Sequence, residues 1–219
     1  MDEARDFDPV PKSLLSKYFT VVDTPEEADV GLVFVETPIT NPYETSDRER
    51  GGNGYLPVSL QFSPYTAEKA REHSIAGGDP YEDFTDRGYR GKTVRAANEQ
   101  DLANILETKE RMGEKPVIVI AELNKPMVMA EFEQEAAGIV AHFGVQAQAE
   151  LDILVGNAEP GGLLPIQLPK DMDTVETQQE DVPFDMLPYT DECGNTYDFG
   201  FGLNWSGPIS DGRTEKYKR

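Results

Sequence analysis

Two short acidic stretches hold the residue types that acid–base chemistry needs. Glu44, Thr45, Ser46, Asp47 and Arg48 put two carboxylates and a guanidinium within one turn of chain. A glutamate withdrawn from water rises in pKa and can then donate a proton near neutral pH, and a neighbouring aspartate and arginine can orient it. Glu36 is the rival acid. It follows directly on the apolar run 30–35, and ligand crevices of α/β sheets open at the carboxyl ends of their strands. The competing explanation for both stretches is a solvated charge cluster, because the chain has 41 acidic residues from which such groupings arise by chance.

Other reactive side chains form no such grouping. Asp86, Arg87, Tyr89 and Arg90 lie in a charged, aromatic loop whose default is to face water. His73 and His142 have no partner at ligand spacing and read as structural histidines. Cys193 is the single cysteine, so neither an internal disulfide nor a cysteine-rich metal site can form. No glycine-rich turn joins a strand to a helix as a nucleotide site requires. The expectation is therefore no cofactor and no metal.

The elements that would carry these residues are legible in the apolar pattern. The runs 30–35 and 116–121 are apolar throughout, as expected of buried parallel strands, and 138–143 reads as a third strand. The clearest helix is predicted over 98–112, with Leu102, Ile105, Leu106 and Met112 as its inner stripe, Asn98 as its cap and Gly113 as its stop. A second helix is predicted over 146–155, burying Leu151, Leu154 and Val155 and ending at Gly156. Shorter helices are predicted from Thr24, with a capping box to Glu27, and over 66–75 and 131–137. Residues 36–65 form a long loop rich in Pro, Gly, Asn and Tyr, and loops of that length in compact domains usually have a function. Beyond Gly156 the helical period disappears into an extended tail that ends near Leu203. This order predicts an α/β, three-layer α/β/α sandwich with a mostly parallel sheet, incomplete at its N-terminal side.

A formal net charge of −21 excludes some partners: such a surface repels nucleic-acid phosphates and anionic membranes. The start of the chain lacks the basic and apolar regions of a secretory signal, and no apolar stretch approaches the ~20 residues of a membrane span. The expectation is a soluble, cytoplasmic protein.

Four segments, in order, resemble one family. Residues 157–169, with Pro160, Gly161, Gly162, Leu163, Leu164 and Pro165, resemble the G-x-x-x-P-S-G-K-L-P segment of the C-terminal domain of family 3 glycoside hydrolases. Phe199, Gly200, Phe201, Gly202 and Leu203 match the family's closing F-G-F/Y-G-L signature. Residues 29–35 resemble its A-D-V-A-I-V-V strand, and residues 115–128 its K-P-V-V-V-V strand with the following proline. The resemblance covers about 25–207, leaving 1–24 as a lead-in segment and 208–219 as a polar tail.

The resemblance implies a sandwich domain packed beside a (β/α)₈ barrel, with a β-glucoside or oligosaccharide bound at the junction. It implies retaining hydrolysis, with an aspartate nucleophile from the barrel and a general acid/base from the second domain in many members. Glu44 to Arg48 match an E-x-x-D-R acid/base loop of some members, which makes Glu44 the candidate acid/base, with Asp47 and Arg48 as candidates for holding sugar hydroxyls. Other members place the acid after the third strand, where this chain has Gln146, a residue with no titratable proton. A barrel needs about 200 residues, and the family's Ser-Asp-Trp nucleophile motif is absent from this sequence. The expectation is a domain inactive alone that works with a missing barrel. The alternative is a non-catalytic carbohydrate- or protein-binding module that self-associates as a homodimer through an exposed sheet edge.

Overall fold

The computed structural model describes residues 9–69, 88–178, 182 and 184–217. Its strands are β1 (Gly31–Glu36), β2 (Tyr65–Thr66), β3 (Thr93–Val94), β4 (Val117–Glu122), β5 (Gly138–His142), β6 (Leu203–Asn204) and β7 (Gly207–Pro208). Its α-helices are α1 (Lys12–Leu15), α2 (Thr45–Glu49), α3 (Gln100–Met112), α4 (Ala147–Leu154) and α5 (Met172–Thr177). The three apolar runs become one parallel sheet in the order β1-β4-β5. Pairing runs from Gly31 with Val117 to Glu36 with Glu122, and from Ile118 with Gly138 to Glu122 with His142. With helices around this sheet, the fold is α/β as expected.

The two faces of the sheet are covered unequally. One face presents Val33, Val35, Val117, Val119 and Ala121, all buried. They join Ile105 and Met112 of α3 and Phe62, Met127, Met129, Phe132, Leu168 and Tyr189 in one core cluster. Burying each of the larger side chains stabilises the fold by about 1.5–3 kcal/mol. Gly31 lets α3 approach closely, since a Cβ there would lie 3.1 Å from Thr108 Cγ2. On the other face Ile120 is buried, but Leu32, Phe34, Ile118 and Val140 stay half-buried. Buried Leu151 belongs to α4, which connects to the lead-in segment through Tyr18, whose hydroxyl donates to Asp152 Oδ1 at 3.0 Å. Val155, expected inside, is exposed because α4 ends at Leu154 and Gly156 takes a positive φ of 76°.

Several local expectations change. The Thr24 helix is a single 3₁₀ turn, Pro25–Glu27, with no side-chain cap. Residues 65–66 pair with 93–94 as a small antiparallel ribbon rather than opening a helix, and 67–69 are not helical either; the rest of that prediction lies outside the described residues. The 131–137 helix is two 3₁₀ turns, Met129–Glu131 and Glu133–Glu135. The carboxylate of Glu131 is taken by the backbone N–H groups of Phe62 and Ser63, at 2.5 and 2.9 Å, which fixes the turn to the loop ahead of β2. Inside the supposedly extended tail sits α5, capped by Asp171, which accepts from the Thr174 N–H at 2.8 Å. No helix among the described residues is long and apolar enough to cross a membrane.

Candidate functional site

The carboxyl ends of the strands gather the acidic residues. Glu36, Glu122 and His142 are register neighbours, so they stand on the same face at the ends of β1, β4 and β5. Asn98 fastens the exit of β1: its Oδ1 accepts from the Ile39 N–H at 2.7 Å, and its Nδ2 donates to the carbonyls of Glu36 and Thr37. It therefore braces the start of the long loop instead of capping α3, whose N-cap position is Glu99 with no side-chain bond. The same Nδ2 lies 2.9 Å from Asp101 Oδ2, which also accepts from the Glu36 N–H at 3.4 Å. Burial pushes the Asp101 carboxyl above the usual aspartate range, against the two hydrogen bonds.

His142 has a partner after all. The Gly144 N–H donates to its Nδ1 at 3.3 Å, so Nε2 is left to face Glu150 Oε1, also at 3.3 Å. Glu150 is 5% exposed, in the first turn of α4. Burial pushes its carboxyl up; the positive side of His142 opposes this and the charge of Glu122 adds to it. Gln146 is the N-cap residue of α4 and makes no capping bond, so the acid contributed from this region is Glu150, four positions on. Sequence reading missed Glu150 because it stands among exposed residues with no motif around it. Lys125, just past β4, is half-buried, and burial pulls its ammonium below the usual lysine range.

The second cluster is the loop between β1 and β2, drawn into a knot. The Glu44 N–H donates to the Gly54 carbonyl at 2.8 Å, and the Gly54 N–H donates to Asp47 Oδ2 at 2.8 Å. Lys92, at the end of the turn ahead of β3, donates to the same Asp47 oxygen at 2.7 Å and to Asn53 Oδ1 at 2.5 Å. Asn53 Nδ2 then reaches the Gly88 carbonyl at 2.7 Å. Tyr43 and Tyr55 pack edge to face, 5.4 Å between ring centres. Gly54 is needed at its position: φ is +86°, and a Cβ would lie 2.6 Å from the Tyr43 ring.

This knot sorts the sequence-predicted residues. Asp47 is drawn inward, and the Lys92 hydrogen bond, with that of the Gly54 N–H, holds its carboxyl below the usual range. Arg48 meets the Tyr43 hydroxyl at 3.5 Å. Glu44 stays at the surface with its carboxylate accepting from the Ser46 hydroxyl and 3.7 Å from Arg50, a residue the sequence reading passed over. Glu36 is half-buried, and its carboxylate takes no hydrogen bond among the described residues. Tyr89 and Arg90 adjoin the knot in the chain, while His73, Asp86 and Arg87 lie outside the described residues. Among the described residues no group of three or more potential ligands is placed to hold a metal ion.

An exposed carboxylate on a braced loop suits proton transfer to a polar ligand. Comparison with known proteins gives the family. The model of the glycosyl hydrolase family 3 C-terminal domain matches residues 15–205. A probable beta-glucosidase C of Aspergillus flavus is 30% identical over 192 residues, 88% of this chain and 23% of that protein. Beta-glucosidase C of Emericella nidulans is 30% identical over 170 residues, 78% of this chain and 21% of that protein. A periplasmic beta-glucosidase/beta-xylosidase of Dickeya chrysanthemi is 24% identical over 185 residues, 84% and 21% of the respective chains. The chain thus spans little more than a fifth of the length of the curated relatives it matches.

Proposed function

Since the chain belongs to the family of glycosyl hydrolase family 3 C-terminal domains, we propose that it is the acid-donating half of a β-glucosidase-type site. A (β/α)₈ barrel supplies the nucleophile and most sugar contacts. Glu44 is the general acid/base: it protonates the departing glycosidic oxygen as the barrel carboxylate attacks the anomeric carbon, then takes a proton from the water that releases the sugar. This retaining geometry places the two carboxyls about 5–5.5 Å apart. The observation that carries the reading is the knot of loop 43–55, which braces the backbone of Glu44 while leaving its carboxylate at the surface. A barrel docked over it would desolvate Glu44 and raise its pKa toward the range a general acid needs. Asp47 and Arg48 act from within the loop, and Glu36 remains the rival acid from the sheet end.

The test uses the chain assembled with a family barrel. Alone, the chain leaves a chromogenic β-glucoside intact; turnover by the purified chain would sink the division of labour. In the assembly, Glu44→Gln lowers turnover of alkyl glucosides by about 10²–10⁴-fold. It spares the first step on dinitrophenyl glucosides, whose leaving group needs no proton, and azide restores the second step. The same pattern in Glu36→Gln instead transfers the role to Glu36.

A second reading has its own observation. Among the described residues β1 and β5 each pair on one side only, and Leu32, Phe34, Ile118 and Val140 are half-covered. A binding module that self-associates over this edge and face would cover them. A monomeric mass by light scattering at micromolar concentration rejects it.

A further inference from the structure

Lys92 is remote from every segment that carries the family resemblance to an acid loop, yet its ammonium sits at the centre of the knot. It is 23% exposed in its side chain and touches two acceptors, Asp47 Oδ2 and Asn53 Oδ1. Each acceptor residue holds a further backbone group: Asp47 holds the Gly54 N–H, and Asn53 holds the Gly88 carbonyl. Gly54 in turn accepts the Glu44 N–H. The segment that presents Lys92 is itself anchored, because the Lys92 carbonyl accepts from the Ala67 N–H at 3.1 Å and the Gly91 N–H donates to the Ala67 carbonyl at 2.8 Å. Ala67 is fully buried. A continuous path of hydrogen bonds therefore runs from a buried residue after β2, through Lys92, Asp47 and Gly54, to the backbone of Glu44.

We propose that Lys92 is a positioning residue for Glu44: by bridging Asp47 and Asn53 it fixes the backbone from which the Glu44 carboxylate projects. The proposal rests on the reading of Glu44 as the acid/base. Without the ammonium, Asp47 keeps a largely covered carboxylate with no cation opposite it, and the hydrogen bond that locates Gly54 weakens as Asp47 turns toward water. The loop then samples other conformations, and Glu44 is in place for only part of the time. Such a loss lowers kcat where proton donation limits the rate and leaves ground-state binding, and so KM, nearly unchanged.

The experiment has two arms. In the full chain, amide hydrogen exchange is followed at Gly54, Glu44 and, as an internal control, Val119 and Ile120. Lys92→Met should make Gly54 and Glu44 exchange roughly 10- to 100-fold faster with the β4 amides unchanged, and Lys92→Arg should restore most of the protection. Wild-type exchange at Gly54 and Glu44 in Lys92→Met overturns the proposal, as does equal acceleration of the β4 amides, which would make Lys92 a general structural prop. In the barrel-assembled protein, Lys92→Met should lower kcat on an alkyl glucoside roughly tenfold or more while leaving the first step on a dinitrophenyl glucoside, read from the pre-steady-state burst of dinitrophenol, nearly unchanged. An equal loss in that first step on both substrates overturns it. Full activity of Glu44→Gln sinks the acid reading and the positioning role together, whereas an inactive Glu44→Gln beside wild-type exchange in Lys92→Met sinks the positioning role alone.

Discussion

The sheet and the loop that follows its first strand are held by opposite physics. Around β4 the contacts are apolar and closed to water, from Val117 and Val119 on the sheet to Ile105 and Phe132 above it. In the knot of residues 43–55 most side chains are half-buried or exposed, and the order comes from charge and hydrogen bonds through Asp47, Lys92 and Asn53. Two carboxyls show the contrast. Burial raises Glu150 beside the sheet, while an ammonium and a backbone N–H lower Asp47 in the loop. A scaffold built by burial tolerates salt and acid; a loop built by paired charges can be adjusted, or undone, without unfolding the scaffold.

The largest effect that separates the two regions should come from the core. Phe132→Ala is expected to lower global stability by about 3–5 kcal/mol in denaturant titrations. A loss below about 1 kcal/mol would mean that the burial around β4 is not what holds the sheet. Gly54→Ala comes next, at about 1–3 kcal/mol of local strain from an L-residue at positive φ against the Tyr43 ring. It should loosen the Glu44 amide in hydrogen exchange and leave Ile120 protected; a parallel loss at Ile120 would erase the distinction between loop and scaffold.

The pH responses are smaller, and they should have opposite signs. Glu150 has a raised folded pKa, so its ionisation works against the fold, and that penalty sets in as pH rises above the ordinary glutamate value of about 4.3. Glu150→Gln should therefore gain on the wild type as pH increases through that window, as read from denaturation midpoints; a flat difference would assign the cost to lost contacts with His142. Asp47 has a depressed folded pKa, so its support of the loop is complete above about 3.9 and disappears as pH falls through the folded value below it. The smallest expected signal is thus a loss of Gly54 amide protection in strong acid with β4 still protected. If both regions opened together there, the knot would not be a separate unit.

How much of this was legible follows from the range of each interaction. The strands at 31–36 and 117–122 were readable from nearly unbroken apolar runs, whatever lies between them, although only one face of the sheet is fully buried, and 138–142 from Ile139, Val140 and Ala141. The extent of α3 was readable from its stripe and from Gly113, but the duty of Asn98 was not: its side chain serves a loop some sixty positions earlier in the chain. The signal for α5 was present in Asp171 and Thr174 at capping distance, and the prolines around it masked the period. For the site, the acids of the loop were visible as types, whereas their sorting into an exposed Glu44 and a tethered Asp47 depends on Lys92, which no local pattern connects to them.

The pairing of β1 with β4 also shapes how the chain reaches this structure. Among the described residues the segment 117–122 supplies the only sheet partner of β1, so that pairing cannot form while the polypeptide is being made until this later strand has appeared. At ~5–20 residues per second, an apolar strand therefore waits several seconds for this pairing. Closing so large a loop adds little to the entropic penalty, which grows only with the logarithm of loop length, but it makes folding slow, as sheets with distant partners are. During that interval the segment around Val33 and Val35 is the point at which nascent chains would capture one another, so yield on expression should depend more on synthesis rate and temperature than on the stability of the finished domain.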